Sequence, residues 1–207
     1  QTAGLFHIDV EAMNIDLLTF PGHKSLLGPQ GTGGLCLGER VKLDSLFEGG
    51  TGSVSESFEQ PSRLPDKLES GTPNTPGIAG LGAGIDFIFQ EGMDKIKAHE
   101  TQLTAYLLQG LGEIEGIKIY GPGLNQLDMQ APLVAFNVKD KNSTDIAYLL
   151  DKHFDIATRS GLHCAPLVHK TLGTTEQGAV RASIGYFNTQ EHIDKLFSAL
   201  RVIMEEF

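Results

Sequence analysis

A chain of 207 residues, 40% hydrophobic and 20% charged, has a globular composition and can bury a core as one large domain or two small ones. Sixteen Lys+Arg against 26 Asp+Glu give a formal charge of −10 with no basic block, which argues against nucleic acid and anionic membranes as partners. No apolar run reaches membrane-spanning length, and Cys36 and Cys164 stand far apart, so a cytoplasmic protein without a disulfide framework is expected. Gln1-Thr-Ala-Gly4 lacks the regions of a signal peptide, and a start other than Met implies an upstream segment.

Residues 1–90 are glycine-rich and irregular. Ile15–Phe20 reads as a buried strand, followed by the turn Pro21-Gly22 and the loop Gly28-Pro-Gln-Gly-Thr-Gly-Gly34. Gly34-Leu-Cys-Leu37 reads as a second buried strand. A long polar segment runs from Glu48 to Pro76, and loops of that length are usually functional or mobile. Ile78–Gln90 is small and apolar, as in a helix packed on a sheet.

From Glu91 the pattern becomes regular. Met93, Ile96, Leu103, Leu107, Leu111 and Ile114 recur at near-helical spacing. Strands are expected at Ile117–Tyr120 and Pro132–Val138, then a helix near Thr144–His153 capped by Asn142 or Ser143. A strand through Ile156 leads into Arg159-Ser-Gly-Leu-His-Cys-Ala-Pro166, and Val180–Ile184 forms the last strand. Asn188 with Glu191 marks the start of a final helix whose Ile193, Leu196, Phe197, Leu200, Ile203 and Met204 share a face. The pattern predicts an α/β sandwich with a mixed sheet, divided into residues 1–90 and 91–207.

Two places carry chemistry. Pro166 suits the first position of a helix with Leu167, Val168 and Leu172 on its apolar face and Gly173 ending it. Cys164 would then stand just before a helix N-terminus, with His163 and Arg159 adding positive charge, where a thiolate is favoured over the buried state usual for cysteine. Lys24 follows a strand and a glycine turn beside His23. An amine reacts with a carbonyl only when deprotonated, so partial burial and a neighbouring cation would activate it. The alternative is an ordinary surface lysine. A metal site from His163, Cys164 and His169 fits no common zinc spacing.

Gly22-His-Lys24 with Gly28–Gly34, then Glu69-Ser-Gly-Thr-Pro-Asn-Thr75, Arg159–Pro166 and Val180-Arg-Ala-Ser-Ile-Gly-Tyr-Phe-Asn-Thr189 occur in one order across nearly the whole chain. Together they resemble the class V aminotransferase family of pyridoxal-phosphate enzymes, in its cysteine desulfurase and selenocysteine lyase branch. The resemblance implies the aspartate aminotransferase type I fold, here as part of the large coenzyme domain (1–90) and a small C-terminal α/β domain (91–207).

It also implies roles. Lys24 would hold pyridoxal 5′-phosphate covalently and shuttle protons, His23 would contact its phosphate, and Gln1 its phenolic oxygen. Thr72 would reach the phosphate of the other subunit in a homodimer. Arg181, with Arg159, would bind the carboxylate of L-cysteine or L-selenocysteine, and Cys164 would take the sulfur as a persulfide for an acceptor protein, as in iron–sulfur cluster assembly. Pro21 replaces the Ser or Thr that many relatives carry there. The aspartate expected three residues before Gln1, the upstream phosphate loop and the ring-stacking histidine lie outside the sequence, so these 207 residues alone are expected to be inactive. A non-catalytic dimerising or acceptor-docking module is the alternative of another kind.

Overall fold

The computed structural model describes residues 1–206. By its internal contacts the chain divides into two units, Gln1–Met93 and Asp94 onward.

The first unit is built on one hairpin and one helix. Strand β1 (Leu17–Pro21) pairs antiparallel with β2 (Gly33–Leu37) in the register Leu17↔Leu37, Leu18↔Cys36, Pro21↔Gly33. The expectation of buried strands is corrected here. Residues alternate between exposed and half-buried along β1, and Cys36 is exposed. A two-stranded ribbon has too little area to bury both its faces.

Helix α1 (Thr75–Glu91) starts with Asn74, whose side chain accepts from Gly77 N at 3.2 Å, and has Pro76 in its first turn. Gly92, at φ 87°, ends it and donates to Ile88 O. Its packing differs from the expected helix on a sheet, because its small-residue face lies on the loop that joins β1 to β2. A Cβ added at Gly84 would sit 2.4 Å from Leu26 O, and one at Gly80 2.8 Å from Pro29 Cγ. Alanine ordinarily stabilises a helix over glycine by about 1 kcal/mol, but overpacking against backbone costs about 1–3 kcal/mol. Gly84→Ala is therefore expected to lower the melting temperature by a few degrees, checked by calorimetry; a rise would show that the loop yields easily.

The second unit contains α2 (Met93–Gly112) apart from its first residue, β3 (Ile117–Tyr120), a 3₁₀ segment (Leu124–Met129), β4 (Leu133–Val138), α3 (Ser143–Phe154), α4 (Pro166–Leu172), β5 (Val180–Ser183) and α5 (Gln190–Glu206). The sheet has the order β3-β4-β5, with Ile119↔Phe136 and Ala135↔Arg181 among its facing pairs. All its pairs are antiparallel, as in the hairpin, so the expected mixed sheet is not found among the described residues. Leu107, Leu111, Phe136, Ile146, Leu150, Val180, Leu200 and Ile203 are fully buried and join three helices to the sheet in one core.

Of the two caps expected for α3 one is used, whereas the start signal of α5 resolves differently from the sequence reading. Asn142 rather than Ser143 caps α3, accepting from Thr144 N at 2.8 Å, while the Ser143 hydroxyl donates to Gln177 O. Asn188 does not cap α5. It closes its own turn, accepting from Gly185 N at 2.8 Å and donating its backbone N–H to Gly185 O. No helix is long and apolar enough to cross a membrane among the described residues.

Candidate active site

In the first unit the Lys24 segment is a fixed loop. Gly22 N donates to Thr32 O, Gly28 N to Gly22 O and Leu27 N to Lys24 O, at 2.8, 2.8 and 2.9 Å. Gly22 is buried, and a Cβ there would meet Thr32 Oγ1 at 2.3 Å, so only glycine fits. His23 and Lys24 project from this frame, both exposed; the partial burial expected for Lys24 is not found. Gln1 joins them, since the Ser25 hydroxyl donates to its carbonyl at 3.3 Å. Thr72 is exposed just before α1, whose N-terminal Gly77 packs on Thr32 at the far end of the same loop.

The second unit carries the thiol. The strand expected through Ile156 is reduced to one bridge, where Arg159 N donates to Arg181 O at 3.1 Å and Arg181 N to Arg159 O at 2.7 Å. After it the chain turns back through Gly161, His163 and Cys164, at φ 89°, 53° and 59°. Ala179 N donates to Gly161 O, and Gly178 leaves no room for a Cβ against Gly161. The turn ends at α4, which has Pro166 in its first turn and stops at Gly173 in the left-handed region.

Cys164 is exposed, and Arg159 Nη2 lies 2.9 Å from its Sγ. Arg181 is half-buried, and its Nε is enclosed with no hydrogen-bond partner. Burial, then the charge of Arg159, push its guanidinium below the ordinary value, while Cys164 acts in the opposite sense. A desolvated cation with an unused donor suits an incoming anion.

His163 behaves differently from the expected source of positive charge. Its Nε2 pairs with Arg159 O at 3.0 Å, and burial pushes its pKa below 6.5. A lowered histidine pKa means that the unfolded chain takes up the proton first. Stability therefore falls as pH drops through about 6.5 toward the folded value. His163→Gln should flatten the loss of melting temperature between about pH 7 and 5.5; an unchanged slope would assign it to other groups.

The expected apolar face of α4 is also corrected. Leu167 is 77% exposed and Val168 55%, whereas His169 is buried and pairs through Nδ1 with Thr174 Oγ1 at 2.8 Å. No cluster of metal-ligating residues occurs among the described residues. Sequence reasoning missed the supports of the site: the glycine spacing of α1 at 77, 80 and 84, Ser25, and Asn137, whose Nδ2 donates to Gly178 O at 2.9 Å behind the thiol loop. Only the glycine spacing left a readable signal.

Residues 1–196 match the family model for aminotransferase class V. A probable cysteine desulfurase of Methanothermobacter thermautotrophicus is 38% identical over 98% of this chain and 51% of its own length. A cysteine desulfurase of Salmonella agona is 36% identical over 93% of this chain and 47% of its own. Among solved structures, the apo cysteine desulfurase of Thermococcus onnurineus superposes with a TM-score of 0.84 at 32% identity, covering 100% of this chain and 51% of that one. An S-sulfonic acid form of an Escherichia coli cysteine desulfurase gives 0.81 at 28% identity, covering 99% and 50%. The chain thus has their fold and spans about half the length of the curated relatives it matches. With the model match running through nearly the whole sequence, the chain belongs to the class V aminotransferase family.

Proposed function

We propose that the full-length protein carrying these residues acts as a pyridoxal-phosphate-dependent cysteine desulfurase, converting L-cysteine to L-alanine and leaving the sulfur on Cys164 as a persulfide, an activity the 207 residues alone would not have. The observation that carries this reading is the exposed Cys164 on a loop bridged to Arg181, a half-buried cation with an unused donor. Simple amino transfer needs no thiol, whereas sulfur abstraction needs a nucleophile and a carboxylate clamp on the same amino acid.

The residues present meet part of the coenzyme's requirements. The aldehyde calls for an amine, and Lys24 offers an exposed one on a loop fixed by three backbone bonds. His23 would donate to the phosphate, Thr72 to the phosphate of a second subunit, and Gln1 to the phenolic oxygen. When bound, pyridoxal phosphate supplies the electron sink that labilises bonds at the substrate carbon. Arg181 orients the substrate by a bidentate pair with its carboxylate. Lys24 moves protons at the substrate. The Cys164 sulfur bonds to the substrate sulfur as the carbon–sulfur bond breaks, and the carbon takes a proton and leaves as alanine. Cysteine plus one thiol gives alanine plus one persulfide, so atoms and electrons balance.

We infer the division into a coenzyme part and a thiol-bearing part, a homodimer and a sulfur-acceptor partner on the same grounds. Measuring alanine released from L-cysteine and from L-selenocysteine by the coenzyme-loaded full-length protein tests the reading. Release from cysteine with sulfur retained on the protein is expected; release from selenocysteine alone would make the protein a selenocysteine lyase.

A further inference from the structure

Strand β4 turns Val134, Phe136 and Val138 into the core of the second unit, while Leu133 and Ala135 on its other face are half-buried. Asn137 breaks that pattern, since it belongs to the outer face and is only 5% exposed. Asparagine is a poor strand residue. Its Oδ1 is also enclosed with no partner among the described residues, and an acceptor buried in that way costs stability. A residue that fits its strand badly and leaves an atom unsatisfied points to a purpose other than folding.

That purpose lies in its amide N–H groups. Nδ2 donates to Gly178 O at 2.9 Å and to the Tyr120 hydroxyl at 3.3 Å. Gly178 is buried at φ 64°, a Cβ there would lie 2.6 Å from Gly161 Cα, and Ala179 N donates to Gly161 O at 3.1 Å. Gln177 O takes the Ser143 hydroxyl of α3, and Gly178 N donates to Thr174 O at 2.8 Å. Residues 177–179 thus form the wall on which the thiol loop turns, and Asn137 ties that wall to the sheet. The same face of β4 carries Ala135, which pairs with Arg181. One strand therefore sets the spacing between the cation for the carboxylate and the back of the thiol loop.

Resting on the desulfurase reading, we propose that Asn137 is a positioning residue for sulfur transfer, setting where Cys164 stands relative to a substrate held by Arg181. Two sulfurs react only from near contact, at about 3–3.5 Å, and a misplacement of about 1 Å can cost about 100-fold in rate. A loop still kept by Ser143 and by the Arg159–Arg181 bridge loses less, so a fall of about tenfold is expected. Substrate binding rests on Arg181 and should not change.

The test compares the full-length protein with its Asn137→Leu variant, which keeps the branched shape and removes the donor. Amide hydrogen exchange of the peptides covering residues 159–165 and 179 reads the loop, and should quicken about three- to tenfold, the opening factor of one lost hydrogen bond. In the coenzyme-loaded protein mixed with L-cysteine, persulfide on Cys164 should form about tenfold more slowly, with the substrate-induced change in coenzyme absorbance kept and KM unmoved. Asn137→Ser, too short to reach Gly178 O, should act in the same direction, and it carries the test if the leucine variant does not fold. Thr104→Val removes a buried hydroxyl of α2 that donates to Glu100 O, and should leave both readouts alone. Unchanged loop exchange, persulfide formed at the wild-type rate, or joint loss of persulfide and absorbance change overturns the proposal. The exchange measurement needs neither coenzyme nor substrate. Faster loop exchange in the variant, beside a wild-type protein that releases no alanine, would sink the desulfurase reading alone. Alanine release by the wild type with unchanged loop exchange in the variant would sink only the role of Asn137.

Discussion

Cys164→Ala should reduce persulfide formation from L-cysteine by at least about 100-fold, to the background of the uncatalysed reaction. The thiol is the sole sulfur in the loop, exposed and held beside Arg159, so no neighbouring group replaces it as nucleophile. The substitution removes one atom from a side chain that fills no core, and stability should hold. Arg181 and the Arg159–Arg181 bridge remain, so substrate should still bind and perturb the coenzyme's visible absorbance in the loaded protein. That separation of binding from sulfur transfer is the diagnostic result. Persulfide detected at the wild-type rate on another residue, Cys36 for instance, would return Cys164 to an ordinary loop cysteine. Loss of the absorbance change together with the persulfide would mean that the residue supports substrate binding instead.

Local signals were legible where a single element decides them. The apolar spacing of α5 holds because Ile193, Leu196, Phe197, Leu200 and Ile203 all reach one core. Gly173 stops α4 because the chain needs a left-handed residue there. Where the outcome depends on a distant partner, the sequence misleads. Leu167 and Val168 look like a buried face, but seven residues make only two turns, too few for periodicity to be tested, and His169 is the buried one because Thr174 satisfies its ring. Arg159 reads as one more cation near a cysteine. Its contact with Sγ follows from a bridge to residue 181 and three left-handed residues, neither of which has a local pattern. Likewise the glycines of α1 weaken the helix by propensity, and their purpose shows only once the Lys24 loop lies across them.

That loop sets the second large effect. Borohydride treatment of the coenzyme-loaded protein should fix pyridoxal phosphate on the peptide carrying Lys24, and Lys24→Ala should remove the label entirely. The reasoning is entropic as well as chemical. Every lysine offers the same amine, but Lys24 offers it from a backbone already ordered by the bonds of Gly22, Leu27 and Gly28, so little further freedom is lost when it reacts. Lys67 of the same unit lies 3.9 Å from Asp44, an ion pair that would have to be given up. Lys24→Arg separates charge from chemistry: it keeps a cation but has no amine to link, and should be as free of label as alanine. Residual coenzyme held without a covalent link in Lys24→Arg, and less of it in Lys24→Ala, would measure what the cation adds beyond the bond. Label recovered on Lys42 or Lys67 in the wild-type protein would move the coenzyme away from this loop and take the roles of His23, Gln1 and Thr72 with it.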